Sequence, residues 1–174
     1  MSDNTASKIL YALSVNPSVL THSVRIAHTA RGMAAKLSLP WPDGYWLAGL
    51  AHDLGKLTWP DELHDKIGLT AVDWTLIHAH PVQSADYLRD LMPNLDGLIM
   101  DAVLHHHERP DRKGYPEGTE PTVQSLIVAV ADCYDALTTS RPYRREPFSR
   151  QQALDEVARW APLALVEALR GVAP

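Results

Sequence analysis

An apolar run over residues 126–138, LIVAVADCYDALT, constrains the fold more than any other part of the chain. The helix that this run predicts is apolar on almost every side, so it should lie at the centre of a helical domain. Asp132 interrupts the run, and Asp135 follows one turn later. An unpaired carboxylate in such a place would cost several kcal/mol of desolvation, so we expect a metal ion, a cation or a hydrogen-bond donor to meet Asp132.

Helix signals dominate the rest of the chain, and the alternation typical of strands is absent. Residues 45–54 form an apolar stretch that predicts a second central helix. Pro81 predicts a kink or a break in the helix that contains His80. The predicted helix starts are Asn16 with Pro17, the pair Thr70 and Asp73, Asn94 for a helix that ends at His106, the pair Ser149 and Gln152, and Pro162. We therefore predict an all-α fold, a helical bundle.

Length and composition fit one domain. A chain of 174 residues with 45% hydrophobic residues is long enough for one core and short for two, so we expect a single domain over residues 1–174 without a separate sensor domain. The 16 basic and 21 acidic residues give a net charge of −5, which disfavours a general surface for nucleic acid or anionic membranes. The first residues lack the apolar core of a signal peptide, and no stretch approaches the roughly 18 apolar residues of a membrane span, which favours a cytoplasmic protein. The single cysteine, Cys133, cannot form an internal disulfide.

Histidine and aspartate residues occur in short motifs that are typical of metal sites. His52 and Asp53 open the segment HDLGK, and His106 and His107 stand directly before a loop rich in proline and glycine, residues 108–121. Imidazole and carboxylate are ligands that iron, manganese and zinc accept, and paired metals commonly serve displacement at phosphorus. The pattern therefore predicts a dinuclear metal site in a phosphohydrolase.

Each motif taken alone has a plainer interpretation. A histidine before an aspartate occurs by chance in many proteins, and Asp132 would also be satisfied by an arginine or a tyrosine in the core. His22 lies on the inward stripe of its predicted helix and His80 at a helix irregularity, where a histidine is more often packed than a ligand. The remaining histidines lack a matching partner and are assigned to the surface or to packing; they are His28, His64, His78 and His105.

Taken in order, the motifs resemble those of the HD-GYP family over nearly the whole chain. The matching residues are His22, HDLGK at 52–56, His80 with Pro81, HHE at 106–108, GYP at 114–116, Asp132 and the stretch ADCYDALTTSRPYR. The resemblance implies an HD-type helical bundle with a five-helix metal-binding core and additional C-terminal helices. It also implies hydrolysis of cyclic di-GMP, or of a related cyclic dinucleotide, to a linear product. That product is pGpG for cyclic di-GMP, with further cleavage to GMP left open.

The resemblance also assigns roles to individual residues. It implies two ions, commonly iron or manganese, that activate a water molecule and are held by His22, His52, Asp53, His80, His106, His107 and Asp132, with Asp53 bridging them. His52, Asp53 and Lys56 match catalytic positions of the family. Lys56, Tyr115, Arg141 and Arg144 match positions that contact the dinucleotide. His52 and Lys56 are four residues apart, which places them on one helix face if the helix continues through Gly55.

Two positions depart from the family pattern. Arg112 replaces the first glycine of the usual loop HHExxDGxGYP, and an arginine there would strain the turn by about 1 kcal/mol if the position requires a positive φ. Ser18 stands where some family members have a glutamate that helps to hold a third metal. We therefore expect two metal ions rather than three.

Three classes of function stay open at this point. The first is a cyclic di-GMP phosphodiesterase, and the second is another HD-type phosphohydrolase that acts on nucleoside mono- or triphosphates. The third is a module without activity that binds a cyclic dinucleotide or a protein partner such as a GGDEF-type cyclase. The apolar final segment, residues 162–169, would pack on its own core or across a homodimer interface.

Overall fold

The computed structural model describes residues 3–140 and 146–173, and within these ranges the chain forms helices and loops with no strand. The α-helices are α1 (Asp3–Leu13), α2 (Pro17–Lys36), α3 (Pro42–Ala51), α4 (Asp61–His64), α5 (Ala71–Leu91), α6 (Gly97–Leu104), α7 (Val123–Thr138), α8 (Arg150–Ala158) and α9 (Leu163–Arg170). A 3-10 helix, Leu54–Thr58, joins α3 to α4. The all-α prediction is therefore confirmed. Arg141 and Arg144 lie outside the described residues.

Helix α7 runs through the middle of the molecule, as its apolar sequence predicts. Residues 126–131 of this helix are all buried. Helices α2, α3, α6, α8 and α9 pack around it. Leu165, Val166 and Leu169 join this core, so the final apolar segment packs within its own chain. Within the described ranges, no helix combines the length and the apolarity that crossing a bilayer requires.

Helices α2 and α3 pack closely because Gly49 has no side chain. A Cβ atom at Gly49 would lie 2.8 Å from the Ala27 Cα atom, well inside van der Waals contact. This close approach brings α2, which carries His22, beside the end of α3, which directly precedes His52. One glycine therefore sets the spacing of two helices that supply predicted ligands.

Local capping signals correctly predict several helix starts. The Asn16 side chain caps α2, and capping boxes form at Thr70 with Asp73 and at Ser149 with Gln152. These motifs are reliable because each donor and acceptor lie within three residues of one another.

The start predicted at Asn94 is wrong. Asp96 caps α6 instead, and its Oδ1 atom accepts a hydrogen bond of 2.8 Å from the Leu98 amide. A turn between Met92 and Leu95 precedes the helix and shifts its first residue to Gly97. Helix α6 also ends at Leu104, before the predicted end at residue 106.

Helix α5 continues through Pro81, so of the two predicted alternatives, a kink or a break, the break is wrong. A proline lacks the amide hydrogen that would bind the carbonyl oxygen four residues earlier, which here belongs to Ile77. The His80 Nδ1 atom lies 2.6 Å from this oxygen and donates a hydrogen bond in place of the missing amide. The helix therefore tolerates Pro81 because the neighbouring imidazole satisfies the freed carbonyl.

The helix predicted over residues 45–54 ends at Ala51, and the 3-10 helix follows. The condition for placing His52 and Lys56 on one α-helical face, a helix that continues through Gly55, is thus not met. The Gly55 amide donates a hydrogen bond of 2.8 Å to the Ser84 Oγ atom. A Cβ atom at Gly55 would lie 2.9 Å from the Ser84 nitrogen and even closer to the His80 carbonyl oxygen. The 3-10 helix is therefore pressed against α5 at a point where only glycine fits.

Candidate metal centre

Seven side chains from separate parts of the fold meet in one largely buried region. They are the predicted ligands His22 on α2, His52 and Asp53 directly after α3, His80 on α5, His106 and His107 after α6, and Asp132 on α7. Six of them form two groups, His22 with His52 and Asp53, and His80 with His106 and His107. Within each group the ligand atoms lie within 4.8 Å of one another, so each group could hold a metal ion.

Asp53 lies between the two groups. Its Oδ2 atom is 3.3 Å from the His52 Nε2 atom and 3.5 Å from the His22 Nε2 atom. Its Oδ1 atom is 3.3 Å from the His80 Nε2 atom. One carboxylate oxygen thus faces each group, which is the arrangement that a bridging ligand requires. Asp132 extends the first group, since its Oδ1 atom lies 3.1 Å from the His22 Nε2 atom.

Hydrogen bonds to the main chain turn three of the imidazoles toward the centre. The Nδ1 atoms of His52, His80 and His106 lie 2.6–2.8 Å from the carbonyl oxygen three residues earlier. A carbonyl oxygen only accepts, so each Nδ1 atom carries the hydrogen and each neutral ring presents a lone pair on Nε2. Metal-ligating histidines are commonly held in this way.

The Nε2 atoms need a cation as their partner. The Nε2 atoms of His80 and His106 face each other at 3.2 Å, and two lone pairs at this distance repel unless a positive charge lies near them. The His52 Nε2 atom is buried and has no hydrogen-bond partner within the described part of the chain. The residues present therefore fit a metal centre.

The pKa values of His80, His106, His107 and Asp53 favour the protonation states that metal ligands need, whereas the pKa of His22 favours the protonated ring. Burial is the main cause that lowers the pKa of His80, His106 and His107, which keeps these imidazoles neutral. Burial would raise the pKa of Asp53, but electrostatic attraction to the neighbouring Lys56 ammonium group helps to hold that pKa well below its usual range. The centre thus combines three neutral imidazoles, those of His80, His106 and His107, with an ionised carboxylate.

Asp135 orients His22, a role that the sequence alone did not predict. Its Oδ2 atom lies 2.7 Å from the His22 Nδ1 atom and accepts a hydrogen bond of 2.8 Å from the Arg25 Nη2 atom. Burial alone would lower the pKa of His22, but hydrogen bonds to Asp132 and Asp135 raise it to about 9. The signal for this role was present, because residues three apart on a helix share a face and Asp135 follows Asp132 by three.

We expect the substitution Asp135→Asn to weaken metal binding about 10- to 100-fold, because it removes the negative charge that orients and polarises the His22 ring. Equilibrium dialysis followed by elemental analysis measures this affinity. Asp155→Asn, an exposed carboxylate on α8, is the matched control and should bind metal like the wild type. Unchanged metal affinity in Asp135→Asn would restrict Asp135 to a packing role.

Lys56 lies at the border between the buried ligands and the solvent. Its Nζ atom is 2.7 Å from the Asp53 Oδ2 atom, and its side chain is 22% exposed. The predicted α-helical spacing from His52 does not apply, because the chain has already entered the 3-10 helix. The cation nevertheless lies beside the centre, three residues after Asp53.

The loop after His107 covers the other side of the centre. The Tyr115 ring stacks on His107 with centroids 4.6 Å apart and on His78 with centroids 4.2 Å apart. Glu108 is fully buried, and its Oε1 atom accepts hydrogen bonds from the amides of residues 117 and 118. The assignment of His78 to the surface or to packing agrees with its stacking on Tyr115, whereas the sequence had predicted no function for Glu108.

Arg112 adopts the strained backbone that its sequence position predicts. Its φ angle is +59°, in the left-handed region that favours glycine. The guanidinium group pairs with Glu120 at 2.8 Å across the loop. The loop therefore keeps the positive φ that a glycine would adopt more readily.

A cleft of about 380 Å³ opens beside the centre. Its walls include His22, Asp53, Lys56, Trp59, His64 and Asp65. Ser18, the position that lacks a glutamate, also lines it. Solvent-borne ligands therefore have a route to the buried carboxylate.

Comparison with known proteins adds a family and several relatives. A family model described as HD domain matches residues 9–162. Cyclic di-GMP phosphodiesterase PA4108 of Pseudomonas aeruginosa is 39% identical over 145 residues, which cover 80% of this chain and 34% of that protein. 3'3'-cGAMP-specific phosphodiesterase 1 of Vibrio cholerae is 34% identical over 129 residues, which cover 71% of this chain and 30% of that protein. The chain thus spans about a third of the length of these relatives.

Solved structures show the same fold. Bd1817, an HDG"Y"P protein from Bdellovibrio bacteriovorus, matches with a TM-score of 0.71 at 21% identity, over 88% of this chain and 52% of that one. The PgpH phosphodiesterase HD domain of L. monocytogenes, solved in complex with cyclic-di-AMP, matches with a TM-score of 0.72 at 15% identity. That match covers 95% of this chain and 92% of the PgpH chain.

Proposed function

The chain belongs to the HD domain family, and on this basis we propose that it is a metal-dependent phosphodiesterase that opens cyclic di-GMP to linear pGpG. The observation that carries the proposal is the position of Asp53, a buried carboxylate between two groups of imidazoles with Lys56 beside it. A relative that is 39% identical is named a cyclic di-GMP phosphodiesterase, which supports the choice of substrate.

Two divalent ions would be held by this chain's own side chains. His22, His52, Asp53 and Asp132 would hold the first, and His80, His106, His107 and Asp53 would hold the second. Bound ions supply Lewis acidity at phosphorus and an activated water nucleophile. We propose iron or manganese, because ligand sets that mix imidazole with carboxylate suit these metals.

Lys56 would contribute a positive charge where the phosphodiester meets the cleft. The charge on the phosphoryl oxygens grows in the transition state, and a fixed ammonium group lowers the energy of that state. Tyr115 would contact the dinucleotide from the loop side, where its ring is already fixed between two imidazoles. Contacts by Arg141 and Arg144 stay predictions, since both residues lie outside the described ranges. A cyclase partner, a homodimer and a cytoplasmic location also stay predictions.

The test combines metal analysis with a panel of substrates. Anaerobically purified full-length chain should contain about two metal ions, in line with a dinuclear site. It should convert cyclic di-GMP to pGpG, and a chelator should abolish this conversion. The panel also includes 3'3'-cGAMP, cyclic di-AMP and nucleoside mono- and triphosphates, with products resolved by chromatography.

Each other outcome points to a different function. Release of phosphate from nucleotides, without cleavage of cyclic dinucleotides, would indicate another HD-type phosphohydrolase. Binding of cyclic di-GMP without turnover would indicate a binding module. A stably folded chain with no affinity for iron, manganese or zinc would contradict the metal-dependent proposal.

A further inference from the structure

We propose that the cleft beside the metal centre holds a guanine base of the substrate and that Asp65 recognises the hydrogen-bond donors on its edge. The inference rests on the proposed function, which brings a dinucleotide to the centre. It adds a specificity-determining residue and predicts discrimination between guanine and adenine.

The first observation is a free carboxylate in the wall of the cleft. Asp65 directly follows the short helix α4, is exposed and lines the cleft together with Lys56 and Trp59. It has no hydrogen bond or ion pair with any residue in the ranges that the structure describes. A carboxylate repels the phosphates of an anionic substrate, so its presence in this cleft favours a ligand group that donates hydrogen bonds.

Guanine presents two such donors side by side, whereas adenine presents one donor, its 6-amino group, beside an acceptor. The N1–H and 2-amino groups of guanine lie side by side and match the two oxygens of one carboxylate. An ionised aspartate only accepts hydrogen bonds, so it binds both donors at once. Adenine has an acceptor at N1 and no 2-amino group. In the same position, one Asp65 carboxylate oxygen would face the lone pair of the adenine N1 atom instead of a donor.

The second observation is an aromatic wall that leads from the centre to Asp65. The ring centroids of Trp59 and His64 are 5.5 Å apart, and Trp59 also meets His80 edge-on at 5.8 Å. The Lys56 Nζ atom lies 5.5 Å from the centroid of the Trp59 ring. Nucleobases stack on aromatic side chains, so this wall suits a base while Lys56 and the ligands of the centre suit its phosphate.

The third observation is that the wall is anchored to the helix that carries His22. The Asn16 Nδ2 atom lies 3.3 Å from the His64 Nε2 atom, and Asn16 is also the cap of α2. Asp65 follows His64 directly and is therefore held at a defined place relative to the centre. The volume of about 380 Å³ falls in the range of roughly 300–1,000 Å³ that is usual for small-molecule sites.

The experiment compares Asp65→Asn with the wild type on guanine and adenine ligands. For the metal-loaded full chain, we would measure kcat/KM for cyclic di-GMP and cyclic di-AMP and, separately, Kd for GMP and AMP. The wild type should prefer guanine in both series. Asp65→Asn should reduce each guanine-to-adenine ratio about 10- to 100-fold, which is the discrimination that a two-hydrogen-bond contact to a base provides. Asp61→Asn is the matched control, since Asp61 is an exposed carboxylate at the start of α4 that does not line the cleft, and it should leave both ratios unchanged.

The two series separate this inference from the proposed function. If no cyclic dinucleotide is cleaved but GMP still binds more tightly than AMP, and Asp65→Asn removes that preference, the guanine site stands and the phosphodiesterase proposal fails. If cyclic di-GMP is cleaved but the ratios in Asp65→Asn equal those of the wild type, the guanine site fails and the proposed function stands. Equal affinity of the wild type for GMP and AMP would also overturn the guanine site.

Discussion

Replacing Lys56 with methionine is expected to lower kcat for cyclic di-GMP by about 10²- to 10³-fold, which is typical of removing one group that stabilises charge in a transition state. Methionine keeps much of the side-chain length but removes the ammonium group, which lies 2.7 Å from Asp53 and borders the cleft. The ligand side chains are untouched, so the variant should still bind about two metal ions under the dinuclear proposal. Steady-state kinetics and elemental analysis of the same preparation test both statements.

Lys113→Met is the matched control for this variant. The Lys113 side chain is 84% exposed in the loop, and its one ion pair with the described part of the chain is a long one of 3.8 Å with Asp111. Its removal should leave kcat and metal content unchanged. Wild-type turnover in Lys56→Met would show that the ammonium group takes no part in catalysis, and a loss of metal together with activity would show that it acts by holding Asp53.

The substitution Gly55→Ala should have the second large effect. An added Cβ atom would lie 2.9 Å from the Ser84 nitrogen and still closer to the His80 carbonyl oxygen, so the 3-10 helix must move away from α5. We expect a loss of about 1–3 kcal/mol in the free energy of unfolding, as for other overpacked sites. The same shift would separate Asp53 and Lys56 from His80, and a displacement on the order of 1 Å costs about 10²-fold in activity.

Urea unfolding and kcat/KM of the metal-loaded variant measure these two effects. Gly97→Ala is the control, because a Cβ atom built there has no atom within 4 Å among the residues that the structure describes, its own helical neighbours aside, and the variant should be as stable as the wild type or slightly more so. Wild-type stability and activity in Gly55→Ala would mean that the 3-10 helix can move away from α5 without displacing the residues of the centre.

Sequence alone predicted the features of the fold that are encoded locally. The cap at Asn16 and the box at Thr70 with Asp73 involve donors and acceptors within three residues, so no knowledge of the tertiary structure was needed. The break expected at Pro81 was wrong for a different reason. The carbonyl that proline leaves free is satisfied by the His80 side chain, and a propensity scale contains no such contact.

For the site, the sequence supplied the ligand types, and the family resemblance supplied the set that the structure brings together. The site residues that the sequence did not predict, Asp135 and His64, contact partners that are distant in the chain. Asp135 meets His22 across 113 positions, and His64 lines the cleft only because α4 is held against the start of α2. Periodicity within α7 places Asp135 on the same face as Asp132, but it does not identify His22 as the partner of Asp135, and it gives no sign of the contact made by His64.

The pairing of His80 with Pro81 bears on any attempt to transplant this centre into another helical scaffold. The His80 imidazole points inward because its Nδ1 atom donates a hydrogen bond to the carbonyl oxygen of Ile77. This oxygen is available because Pro81 has no amide hydrogen to bind it. A designer who copied the histidine alone would offer that oxygen two competing donors. Pro81 would therefore have to be transferred together with His80.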